Sequence, residues 1–409
     1  MRELREWDVS KSTSLEVFSV LQLWNIDEPL LPNLKTLTLW HLYTSFFPFI
    51  PLFLSPTVTS ILLGFGFEIP KAMVASAVAI IPTLCPKLQT INLQNLWRDP
   101  MITAAVSGVV LATNRNTLQE FRVNSPLTKE ASEVVFKLSS LRSLSLVIKG
   151  ETSLPPASFP NLTALEIDGD NEGSWPGLFH GATFGKLESV VFYPQSKEIG
   201  DFLGAFEKAA LSSSVQNTLS TFQVFDEYSW NPNYSSLLSF TQLVDLHIGF
   251  SCDGGCSSTV DDNVVISLSR AMPRLNILQL GYPSCRELAT GITTKGFMAL
   301  ALHCPNLSSL CVHFQVDSFV SPPAGPGITP DAEPTTSWTD CALTELSVGE
   351  VPVPEESVLM VTLTLLRIFP RIETINSDDG GGWEEVEGAI CLSKRVVDCS
   401  SKQFSLTTR

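Results

Sequence analysis

Charge is scarce in this sequence. Of its 409 residues only 17% are Asp, Glu, Lys or Arg, and 26 basic residues stand against 42 acidic ones, a formal net charge of −16. An acidic surface repels phosphate backbones, so nucleic acid and anionic membranes are poor partners, while the same charge favours solubility. Cysteine is odd in number, at nine scattered residues, which suits no secreted disulfide framework and points to reduced thiols in the cytoplasm or nucleus. The chain has no G-x-S-x-G, H-E-x-x-H, P-loop or dinucleotide fingerprint. Its N-terminus, Met-Arg-Glu-Leu-Arg-Glu-Trp-Asp, has no apolar core of a secretory signal. The stretch from Phe46 to Phe67 is free of charge, but Pro48, Pro51, Pro56, Gly64 and Gly66 would break a spanning helix. It reads as buried core plus a turn.

What the sequence does have is one apolar skeleton, L-x-x-L-x-L, repeated from end to end. It is plain in "LPNLKTLTLWHL" (Leu34, Leu37, Leu39), "CPKLQTINLQNL" (Leu88, Ile91, Leu93), "FPNLTALEI" (Leu162, Leu165, Ile167), "MPRLNILQL" (Leu275, Leu278, Leu280) and "CPNLSSLCV" (Leu307, Leu310, Val312). Counting weaker copies, from Leu15, Phe18 and Val20 to a degenerate Ile372, Ile375 and Ser377, there are about fourteen, a spacing expected of leucine-rich repeats. Proline stands two residues before the first anchor at Pro32, Pro56, Pro86, Pro160, Pro273, Pro305 and Pro370. A proline there stops a preceding helix and lets the chain run into a strand.

Several connectors are apolar at helical spacing: Lys71 to Leu84, Met101 to Thr113, Thr128 to Leu138, Glu198 to Leu211, Asp261 to Ala271, Thr293 to His303 and Glu355 to Phe369. The short copies around Leu141 and Leu162 leave no room for a full helix. The expected fold is therefore α/β, a curved leucine-rich-repeat solenoid with a parallel sheet on its concave face and helices and irregular loops on its convex face. It should occupy residues 1–379, with a Pro/Gly-rich insertion at 321–337, and residues 380–409 should form an acidic cap or tail.

Residues alternating with the anchors point away from the core onto the sheet's other face. Trp40, Glu120, Arg122, Glu166, Asp168, Tyr193, Phe225, Asp245, His247, Gln279, Cys311 and His313 fall there. Acids, imidazoles and aromatics in one row suit protein recognition, and the expected partner is a protein bound by a monomer. Three other features attract attention. Cys252-Asp-Gly-Gly-Cys256 has neither C-x-x-C spacing nor a second pair, so it reads as a loop with free thiols. His303, Cys304 and His313 could suggest a Cys/His nucleophile, but the repeat assigns Cys304 to a turn and His313 to the sheet face. Gly380 to Gly382 reads as a linker. No cofactor, metal or catalytic residue is expected.

The units quoted above, with the "IFPRIETI…W" ending, resemble the ribonuclease-inhibitor-like repeats of fungal F-box/LRR-type proteins. That resemblance implies a non-enzymatic scaffold whose repeats select a target for a ubiquitin ligase. It also implies a ligase adaptor as partner wherever an F-box precedes the repeats; none fits before Leu15. The alternatives are a stand-alone repeat protein that binds or inhibits a partner and, remotely, a Cys/His enzyme. The Asn or Cys that such repeats carry three positions past the core is mostly missing; Gln315 takes its place after Val312.

Overall fold

A computed structural model of the chain describes residues 3–4, 16, 19–20, 29–112, 117–148, 158–169, 179, 181–194, 202–226, 232–250, 260–281, 291–320, 341–348, 352–377 and 381–406. The insertion 321–337, the Cys252/Cys256 loop and Gly380 lie outside these residues. The chain is α/β and forms two compact units, Met1–Val215 and Gln216–Arg409.

The first unit carries strands β1 (Glu3–Leu4), β2 (Thr36–Leu42), β3 (Ser60–Phe65), β4 (Thr90–Gln94), β5 (Glu120–Pro126), β6 (Ser143–Ile148), β7 (Ser158–Phe159), β8 (Ala164–Gly169), β9 (Thr183–Phe184) and β10 (Ser189–Pro194). All but β7 and β9 lie side by side in chain order in one sheet, with parallel pairing. Helices α1 (Lys71–Leu84), α2 (Pro100–Ala112), α3 (Lys129–Val135) and α4 (Phe202–Ser212) connect them. The second unit repeats the plan with β11 (Thr221–Asp226), β12 (Asp245–Phe250), β13 (Ile277–Leu280), β14 (Ser309–Val312), β15 (Glu345–Val348) and β16 (Thr374–Ser377). Its helices are α5 (Asp262–Ala271), α6 (Thr294–His303), α7 (Asp317–Val320), α8 (Val358–Ile368) and α9 (Trp383–Leu406).

The anchors hold this plan together. From Leu34 to Ile375 they are buried, and they stack in register: Leu37 beside Ile61, Ile61 beside Ile91, Leu246 beside Leu278, Leu278 beside Leu310. The hydrogen bonds repeat as faithfully. One carbonyl past each first anchor accepts from two successive N–H groups of the next strand. Gln89 O takes Gln119 N and Glu120 N, Asn276 O takes Ser308 N and Ser309 N, and Ser308 O takes Thr344 N and Glu345 N. Such shared acceptors satisfy backbone groups at strand starts, where no ladder partner is yet in place.

The pre-proline residue behaves identically wherever a helix ends on it. Cys85, Met272, Cys304 and Phe369 cap their helices at φ between −120° and −126° and ψ between 66° and 79°. Each closes the helix by donating its N–H to the carbonyl four residues back, at 2.7 to 2.9 Å. The proline ring forbids the helical region to the residue before it, so the turn from helix to strand is made by sequence-local sterics.

Where helices are short the core is closed otherwise. After the seven-residue α3, the pair β7–β9 covers the anchors, and Phe159 stacks on Phe184 at 5.7 Å with an interplanar angle of 9°. The charge-free stretch winds into a 3-10 helix, Thr44–Phe53, burying Phe46, Phe47, Phe49, Ile50, Leu52 and Phe53. Pro48 and Pro51 lie inside it.

The N-terminal copy is a correction. Leu15 and Phe18 lie outside the described residues, while Val20 is helical and 56% exposed, unlike an anchor. The strand that pairs with β2 is Glu3–Leu4, Leu4 lying opposite Leu37. One leucine without its two companions carries no L-x-x-L-x-L signal, which is why the periodicity pointed further along. At the other end, α9 packs on α8 and β16 and buries Trp383, Val386 and Ile390. Among the described residues no helix is long and apolar enough to cross a membrane.

Candidate recognition face

Strand alternation places the non-anchor side chains of each unit on the sheet face away from the core. In the first unit, Trp40 is half-buried and lies over Gly64; a Cβ at Gly64 would stand 3.0 Å from Trp40 Cε3. Glycine at this position leaves the space that the indole needs. Glu120 opens β5 half-buried. The exposed Arg122 reaches the next strand, donating from Nε and Nη2 to Ser143 Oγ at 3.2 and 3.1 Å. Glu166 and Asp168 stand on β8, half-buried, with Tyr193 directly opposite Asp168 on β10. Burial pushes the Tyr193 phenol above its ordinary pKa, and the charges of Glu166 and Asp168 push it further.

Arg98 was not on the expected list. It sits in the loop after β4, yet its Nη2 meets Asp168 Oδ2 at 2.8 Å, although β5 and β6 separate β4 from β8 in the sheet. Both side chains are 28% exposed. Only its positive charge, rare in this chain, could have drawn attention to it. A partly exposed pair of this kind contributes about 1 kcal/mol or less, so its role is orientation of Asp168 more than stability.

In the second unit, Phe225, Asp245, His247 and Gln279 are all half-buried. Gln279 lies opposite His247 in the β12–β13 pairing, and the two share a hydrogen bond, His247 Nδ1 to Gln279 Oε1 at 3.1 Å. The Phe225 ring lies 6.4 Å from the imidazole, tilted by 49°. Cys311 continues the row, opposite Gln279 and half-buried. No known protein family matches this chain, and neither does any curated protein sequence. The assignment of the face therefore stands on its geometry.

His313 is a second correction. It was expected on the face but is only 3% exposed. Strand β14 ends at Val312, so the alternation stops one residue too early for it. Phe314 then turns into an aromatic cluster with Phe297 at 4.9 Å, Phe319 at 4.8 Å and Trp383 at 5.7 Å.

Cys304 serves the core. Its Sγ lies 3.6 Å from both Ser269 O and Met272 O, and Cys341 Sγ lies 3.7 Å from Cys304 O, so the two thiols close the turns of successive repeats. Burial pushes the Cys304 thiol up to about 12 and the Cys85 thiol to about 11, so neither of these two is a thiolate at neutral pH. Iodoacetamide on the native protein at mildly alkaline pH should therefore label Cys391, which is exposed, and spare Cys85, Cys304 and Cys341 until denaturant is added. Peptide mass spectrometry reads the outcome.

Proposed function

We propose that the protein is a leucine-rich-repeat solenoid of about fourteen units that recognises a protein partner on the concave side of its sheet, without catalysis of its own. The observation that carries this reading is the division within the strands: from Leu34 to Ile375 the anchors are buried, while Arg122, Glu166, Asp168, Tyr193, Phe225 and His247, which alternate with them, remain partly or fully exposed. Aromatic rings and arginine are enriched at affinity-bearing interface centres, and charged and amide groups suit the polar rim around them. The stacked units supply a rigid support that pre-organises those side chains and so lowers the entropic cost of binding. In its finer form the reading makes this the target-selecting part of an F-box/LRR-type ubiquitin-ligase receptor, as the repeat sequences suggest. A stand-alone binder or inhibitor is the alternative.

Site-specific photo-crosslinking distinguishes these. Benzoylphenylalanine placed at Phe225 or Asp245, both in the second unit, should trap one and the same protein in cells, whereas the probe at Leu302 or Leu363, both exposed on helices of that unit, should not. Equal trapping from both faces sinks the recognition reading. If the trapped protein accumulates when this chain is depleted, the ligase form gains support. An unchanged level favours the stand-alone binder.

A further inference from the structure

The hydrogen bonds around His247 determine which of its ring nitrogens faces a partner. Gly281 directly follows β13 in the left-handed region, at φ 95°, a conformation that glycine adopts without strain. Its N–H donates to Ile248 O at 2.7 Å, which holds the residue against β12. The Gly281 carbonyl then accepts from Gln279 Nε2 at 3.2 Å. A carbonyl can only accept, so it is the amide nitrogen of Gln279 that points at Gly281, and Oε1 points the other way. That oxygen lies 3.1 Å from His247 Nδ1. It too can only accept, so Nδ1 carries the proton. Among the described residues, Nε2 has no hydrogen-bond partner.

We infer that the chain Gly281–Gln279–His247 locks His247 in its Nδ1–H tautomer and holds the Nε2 lone pair on the sheet face as a fixed acceptor for a hydrogen-bond donor of the protein partner. Free histidine favours the opposite tautomer, so the lock is a property of this site. Gln279 acts as a positioning residue and does not itself meet the partner. The Phe225 ring beside the imidazole makes the complementary feature a donor, such as a hydroxyl or an amide N–H, flanked by an apolar group. The inference rests on the recognition reading for what supplies that donor, but the tautomer itself is independent of it.

Two measurements on the full chain test it. With histidine labelled by 15N, long-range proton–nitrogen correlation spectra report which ring nitrogen is protonated, and His247→Gln assigns the resonance. A protonated Nδ1 and a pyridine-like Nε2 are expected; the reverse pattern, or a fast-exchanging mixture, overturns the inference. Gln279→Leu should move the population to Nε2–H, and Gln279→Glu, which keeps an acceptor oxygen, should restore Nδ1–H. An unchanged tautomer in Gln279→Leu removes the role assigned to the chain. The second probe is aquapentaammineruthenium(II), whose bound water is displaced by an accessible imidazole nitrogen lone pair. It should modify His247 and spare the buried His313; a native protein left unmodified at His247 contradicts an outward Nε2. Failure of the crosslinking experiment with both of these intact would discard the partner and keep the lock.

Discussion

Trp383→Ala is expected to lower the stability of the Gln216–Arg409 unit by about 4 kcal/mol, as large aromatic truncations in cores do. Trp383 is 2% exposed and packs edge-on to Phe314 at 5.7 Å, so its loss opens the cluster that includes Phe297 and Phe319. The consequence should exceed the cavity. Helix α9 also brings Glu387, whose Oε1 accepts from Ile375 N at 3.3 Å, and Lys394, which donates to Arg371 O at 3.1 Å. Ile375 belongs to β16, the outermost strand of that unit, and an uncovered strand edge is a template for pairing with other chains. Urea denaturation should show the loss in stability, and light scattering at intermediate urea should show association absent from the parent. Leu392→Ala is the control: that residue is on the same helix but 63% exposed, and its replacement should change stability by about 0.5 kcal/mol or less. If Trp383→Ala behaves like the control, α9 contributes nothing to that core.

Asp262→Ala is expected to cost about 3 kcal/mol, because it leaves three donors without their acceptor where charged hydrogen bonds are strongest. Asp262 Oδ1 accepts from Thr293 N at 2.8 Å and Gly296 N at 3.0 Å, and Oδ2 accepts from Thr293 Oγ1 at 2.6 Å. These groups belong to the first turn of α6, so a residue at the start of α5 caps the helix of the following repeat. A carboxylate there also meets the positive end of the helix dipole. Gly296→Ala tests the same spot from the other side, since an added Cβ would lie 2.8 Å from Asp262 Oδ1. Thermal unfolding of both variants should fall below that of Asp261→Ala, which removes only bonds local to α5, from Val264 N at 2.9 Å and from Asn263 Nδ2 at 3.0 Å. An Asp261→Ala effect as large as that of Asp262→Ala would show that the bond between repeats carries no special weight.

Both residues show how much of this protein could be read beforehand. Asp261 and Asp262 were legible as the start of a helix, and Asp261 does cap α5. That Asp262 serves the next helix instead was not legible, because its acceptors' partners lie some thirty residues away. The tryptophan of the "IFPRIETI…W" ending was visible only as part of a resemblance, yet its burial depends on Phe314, a residue beyond a strand end that no alternation rule predicts.

The face divides in the same way. Arg122, Glu166, Asp168, Tyr193, Phe225, Asp245, His247 and Gln279 could be placed by counting from the anchors, since side chains in a strand change sides at every residue. His313 could not, because counting assumes that the strand continues and β14 stops at Val312. Arg98 could not either: a long side chain on a loop meets Asp168 through space, with no periodicity to betray it.

By itself the sequence determined the core. Apolar anchors at fixed spacing and a proline before them act through local geometry, so the buried triads, the helix ends and the parallel register follow from residues close together in the chain. The tertiary structure alone decided how the repeats speak to one another. The Asp262 cap, the Arg98–Asp168 pair, the Glu387 guard on β16 and the Gly281–Gln279–His247 chain each join groups distant in sequence. Their formation depends on side-chain reach and on where each strand ends, and neither is written in the spacing of leucines.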